Sequence, residues 1–188
     1  PGKMPETVRN ITEKMDVTQG KLVMGFRTGI TAADPMYPAL LMLNGVYGGS
    51  LTSKLFMNVR EKLSLCYYAS SGIDRMKGVM VVSSGVDTQQ YETARKEILH
   101  QLDACLQCNI TEDELESTRS YLISSLKTGE DSPYQLDDFQ LGQEIGGYDY
   151  TAESLAESLK TVTIPEIQTA ARRLNLDTVY FLCGEVEA

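Results

Sequence analysis

Tyr47-Gly48-Gly49-Ser50-Leu51-Thr52-Ser53-Lys54-Leu55-Phe56-Met57-Asn58-Val59-Arg60-Glu61-Lys62-Leu63-Ser64-Leu65-Cys66-Tyr67-Tyr68-Ala69-Ser70-Ser71-Gly72-Ile73 is the stretch whose reading decides the fold. Paired glycines permit a positive φ and a close backbone approach, and Ser50 can cap a helix by accepting a bond from a free amide. A helix is therefore expected to begin at Ser50. Leu51, Leu55, Phe56, Val59 and Leu63 follow the roughly 3.6-residue period of a buried stripe, with Lys54, Asn58 and Glu61 on the opposite face. Arg60 lies on the flank of that stripe, where its stem can be covered and its guanidinium left free. From Cys66 the period becomes two, which predicts a strand with Tyr67, Ala69, Ser71 and Ile73 on one face and Tyr68 on the other.

Upstream, residues 1–15 are polar, charged and Pro-bearing, and read as the end of a linker with little structure of its own. Residues 16–188 then form a single domain. Gly20 to Gly29 alternates, with Leu22, Met24 and Phe26 on one face, and is expected to be the first strand of the sheet. Asp34-Pro35 opens a mostly apolar helix through Leu40, Leu41, Leu43, Val46 and Tyr47. Downstream, the β-branched run Val79 to Val86 pairs as a hairpin with the Tyr67 strand, and Thr88 to Cys108 has helical periodicity. Thr111 and Glu114 have capping-box spacing and start a helix running to about Lys127. Tyr134 to Ile145 is helical and ends at Gly146-Gly147; further helices start near Thr151 and at Thr163-Ile164-Pro165-Glu166; Thr178 to Cys183 is the last strand. This order predicts an α+β domain, a mainly antiparallel sheet with helices packed on one face.

Gly-Gly-Ser before a helix, Leu55-Phe56 inside it, Arg60-Glu61-Lys62 at its end and Leu65-Cys66-Tyr67 at a strand start together resemble the second, non-catalytic domain of the insulinase/pitrilysin family of zinc metallopeptidases, which includes mitochondrial processing peptidase. The specific motif covers Gly48 to Tyr68, and the element order fits almost the whole chain. The resemblance implies the same α+β fold without metal, next to a homologous domain that carries zinc on an H-x-x-E-H motif. It further implies that Arg60 and Tyr67, but not Tyr68, help bind a peptide substrate and its tetrahedral intermediate. Ser64 departs from the pattern, which has Gly before that Leu.

Composition bounds the rest. With 188 residues and 42% hydrophobic content, the chain can bury a sizeable core without staples. A net charge of -9 argues against a nucleic-acid surface and makes a basic peptide the more natural partner. No apolar run approaches the roughly 20 residues of a membrane span, and no basic-then-apolar start is present, so a cytoplasmic location is the expectation. Cys105 and Cys108 form a C-x-x-C pair without a second pair, so with Cys66 and Cys183 they read as half-buried cysteines rather than ligands. His100 is the chain's single histidine, Asp137 and Asp138 are adjacent and point to different helix faces, and the acidic run from Glu112 to Glu116 suits a helix N-terminus. The reading is the substrate-binding, non-metal half of a zinc endopeptidase, with no cofactor in this chain and zinc in its partner. The alternatives are a non-enzymatic scaffold subunit of the same fold and an independent acidic binding module.

Overall fold

A computed structural model describes residues 6–130 and 141–184. Its sheet has five strands in the order β1-β5-β2-β4-β3, built from β1 (Arg9–Met15), β2 (Gly20–Arg27), β3 (Tyr68–Asp74), β4 (Val79–Val86) and β5 (Asn175–Gly184). Every neighbouring pair is antiparallel except β1 with β5. The alternation of β2 does what the sequence requires of it: Leu22, Met24 and Phe26 are buried, joined on the same face by Met80 and Val82 from β4 and by Val179 and Phe181 from β5. Helices cover that face: α1 (Tyr37–Asn44), α2 (Tyr91–Leu106), α3 (Glu112–Glu130), α4 (Ala152–Thr161) and α5 (Ile164–Ala171). The mainly antiparallel α+β expectation holds.

Several local expectations need correction. Residues 9–15, read as part of a linker, form the edge strand β1, so β2 is not the first strand. Every residue of β1 is exposed, so it pairs through its backbone without burying a face, and no apolar period announced it. The helix expected at Ser50 starts later. Helix α1 continues as a π-helical turn, Gly45–Gly49, and a second π-helix, Leu55–Lys62, follows a turn. The Ser50 hydroxyl donates backward to the Gly45 carbonyl at 3.1 Å, and it is Ser53 that accepts, from the Phe56 amide at 3.4 Å. Asp34 likewise acts three residues before α1, accepting from the Met36 amide at 2.8 Å.

Glycines 48 and 49 are present for close approach and not for positive φ. A Cβ on Gly48 would lie 2.6 Å from the Ser71 hydroxyl oxygen of β3 and 2.7 Å from a Leu55 methyl. These contacts pin the π-turn, the π-helix and β3 against one another. Tyr47, fully buried, donates its hydroxyl to the Ile98 carbonyl at 3.0 Å and ties the same turn to α2. The capping boxes at Thr111/Glu114 and Thr163/Glu166 form as read. Residues 141–146 are helical, whereas Asp137, Asp138 and the rest of 131–140 lie outside the described residues.

Candidate functional site

The π-helix Leu55–Lys62 delivers the first predicted residue. Leu55 and Val59 are buried, which seats the helix on the core, but the stripe is narrower than its period suggested: Leu51 is 74% and Leu63 46% exposed. Lys54, expected in water, is buried, and its ammonium donates to the Glu114 carboxylate at 2.7 Å. Asn58, expected there too, donates to Gln101 at 2.8 Å, and Gln101 in turn donates to Glu97 at 2.6 Å. The helix is thus fastened to α2 and α3 by polar groups on the face that the apolar pattern assigned to solvent.

Arg60 follows two residues after the last of these anchors, Asn58. Its Nε donates to the Tyr67 carbonyl at 2.9 Å, its guanidinium lies 4.7 Å from the Phe56 ring centre, and Nη1 pairs with Glu61 at 3.1 Å. Cation–π contact and the carbonyl bond both restrict the side chain, leaving its charge at the surface. The chain then reverses through Ser64, whose φ of 50° lies in the left-handed region that favours glycine. This turn is where the sequence departs from the pattern with Gly, and a residue with a side chain occupies the left-handed conformation there.

Tyr67 precedes β3, and its amide donates to the Gly85 carbonyl at 2.8 Å. Its ring is 54% exposed, and its hydroxyl donates to the Asp87 carboxylate at 2.7 Å. That bond to an anion stabilises the protonated phenol and raises its pKa above the ordinary tyrosine value. Tyr68 begins the strand proper and lies over Gly85, where a Cβ would come within 2.6 Å of its ring. The structure therefore brings Arg60 and Tyr67 together. Both border an open groove of about 420 Å³, also lined by Glu61, Leu65, Cys66 and Asp87. Cys66 sits just before the strand rather than in it, and burial pushes its thiol up, against smaller opposing effects of Ser84 and Arg60.

Asp87 is the groove residue that sequence reasoning missed. Extending the β3/β4 register by one residue sets Tyr67 opposite Val86, so an acid in the next position falls beside the phenol. As the residue before the helical turn Thr88–Gln90, Asp87 looks like a helix cap, yet its side chain makes no capping bond.

For a metal, the donor set does not fit. His100 is exposed, all four cysteines are free, and among the described residues no group of three or more His, Cys, Asp or Glu could hold an ion. Residues 4–122 match the family model described as Peptidase M16 inactive domain, and the chain belongs to that family. It is 37% identical over 176 residues to a probable inactive metalloprotease, YmfF, of Bacillus subtilis, covering 94% of this chain and 41% of that protein. An uncharacterized zinc protease of the same organism, YmxG, is 27% identical over 87% of this chain and 41% of its own length. In structure, a conserved protein from Enterococcus faecalis superposes with a TM-score of 0.93 at 36% identity, covering 100% of this chain and 44% of that one. The chain spans about two fifths of the length of these curated relatives.

Proposed function

We propose that this chain is the peptide-binding, non-metal half of a zinc-dependent endopeptidase, working with a homologous zinc-bearing domain outside it. One observation carries the proposal: Arg60 of the π-helix and Tyr67, just before β3, border a single solvent-open groove at the start of β3, which is an edge strand among the described residues. An extended peptide can run along such an edge through its backbone while the groove receives a side chain or terminus. Zinc in the partner domain would supply the activated water, and this half would contribute binding and orientation. Relatives named zinc protease support that reading.

The relative at 37% identity, named a probable inactive metalloprotease, supports a second reading in which the parent is a scaffold without turnover. Mixing or co-expressing the chain with its zinc-bearing counterpart decides between them. The expected outcome is cleavage of a peptide library by the pair and by neither half alone, with Arg60→Ala raising KM more than it lowers kcat. A zinc-loaded pair that binds peptides but cleaves none establishes the scaffold reading.

A further inference from the structure

A second concavity lies at the N-terminal end of the π-helix, between the Gly-Gly turn, β3 and α3. It is an open pocket of about 420 Å³, within the size range of ordinary ligand sites, and is bordered by Gly48, Leu51, Phe56, Ala69, Ser117 and Tyr121. Among the described residues its lining holds no Asp, Glu, Lys or Arg, whereas the groove has Arg60, Glu61 and Asp87. Two hydroxyls at its rim are bonded locally: Ser50 donates to the Gly45 carbonyl at 3.1 Å and Ser117 to the Glu114 carbonyl at 3.3 Å. Leu51 is 74% and Tyr121 48% exposed, so apolar side chains from two parts of the chain stand in water around one hollow. Such a surface gains by removing apolar area from water and gives a charged group nothing in return for its lost hydration.

Two features join this pocket to the groove. Phe56 lines it, and the guanidinium of Arg60, a groove residue, lies 4.7 Å from the centre of the same ring. Tyr67 lines the groove, and Ala69 and Ser70, two and three residues further along the chain, line the pocket. An extended chain advances about 3.3 Å per residue, so a peptide with one residue at Tyr67 places its next same-side residue about 7 Å on, at the pocket. We infer that the pocket is a subsite for one large apolar side chain, aromatic or branched aliphatic, of the peptide that the groove holds. The inference rests on the peptide-binding reading above and deepens it by adding an apolar side-chain preference at a fixed position.

Fluorescence anisotropy on the chain tests it with C-terminally labelled, N-acetylated decapeptides of Ser, Thr and Gly. One set carries a single Phe moved through each position, a second a single Leu, and a third a single Lys. The expected result is one position at which Phe or Leu, but not Lys, tightens binding about tenfold, the gain from burying a large apolar side chain less the cost of ordering it. Ser117→Phe fills the pocket from α3, abolishes that gain and leaves the affinity for the unsubstituted peptide unchanged. Leu51→Ala and Tyr121→Ala, which only shorten exposed side chains, each reduce the gain, so the test does not depend on one variant folding. Met57→Ala, which shortens a 48% exposed side chain of the π-helix outside the pocket, leaves the gain intact. A gain spread evenly over all positions, no apolar gain at any position, or a gain that survives all three pocket variants overturns the subsite while leaving peptide binding in place. If no peptide of any set binds, both readings fall.

Discussion

At its N-terminal end the π-helix Leu55–Lys62 is fixed by burial, with Leu55 and Val59 in the core and Lys54 closed over Glu114. At its C-terminal end Arg60, the Ser64 turn and Tyr67 stand at the surface and are held by exposed polar contacts and one cation–π contact rather than by burial. The anchored end resists change because removing any group leaves a void or a stranded charge. The open end can change its chemistry at little cost to the fold, which is where function is expected to lie.

The largest effect should come from breaking the anchored end. Leu55→Ala removes a fully buried side chain that touches Gly48 and is expected to cost about 3 kcal/mol in denaturant unfolding. A loss under about 1 kcal/mol would show that the π-helix is not part of the cooperative core. Next comes Lys54→Met, which keeps the buried stem and deletes the ammonium, leaving the Glu114 carboxylate without its partner. Lys54 and Glu114 are 7% and 25% exposed, so screening by water limits the expected cost to about 2 kcal/mol. Glu114→Ala is the poorer probe, because Glu114 also accepts the Thr111 amide in the capping box. An unchanged urea midpoint for Lys54→Met would make the pair incidental.

The same contrast explains what could be read from the sequence. Buried strands, the hairpin, the capping boxes and the apolar α1 follow from periodicity and short-range hydrogen bonding, because each depends on residues a few positions apart. Strand β1 escaped because RNITEKM pairs with β5 without burying any residue. Lys54 and Asn58 were assigned to water because a helical wheel knows one core and not the flanking helices α2 and α3. In the groove, Arg60 and Tyr67 were reached through a family resemblance, whereas Asp87 required the register of β3 against β4.

Smaller effects are expected at the open end. Tyr67→Phe and Arg60→Ala should each shift stability by no more than about 0.5 kcal/mol, since both side chains are substantially exposed and neither fills the core. Their effect should appear in peptide affinity instead. A thermal melt beside a peptide-binding titration separates the two readouts, and a marked loss of stability in either variant would move that residue to the anchored class.

The last effect, opposite in sign, joins the two ends. Ser64 sits at φ 50° between the π-helix and Tyr67, with its amide donating to the Arg60 carbonyl at 3.1 Å. A β-carbon in the left-handed region costs on the order of 1 kcal/mol, and glycine removes that cost. Glycine also widens the unfolded ensemble, which takes back about 0.4 to 1 kcal/mol. Ser64→Gly should therefore be stabilising by less than about 1 kcal/mol, visible as a small rise in the urea midpoint at constant slope. Among the described residues the Ser64 hydroxyl has no hydrogen-bond partner, so the backbone alone sets the sign. If the turn only connects, peptide affinity stays constant. If its stiffness holds Tyr67 in the groove, peptide affinity falls although the fold is firmer. A destabilisation above about 1 kcal/mol would mean that the serine side chain anchors this turn, and would extend the anchored region of the π-helix to the edge of the groove.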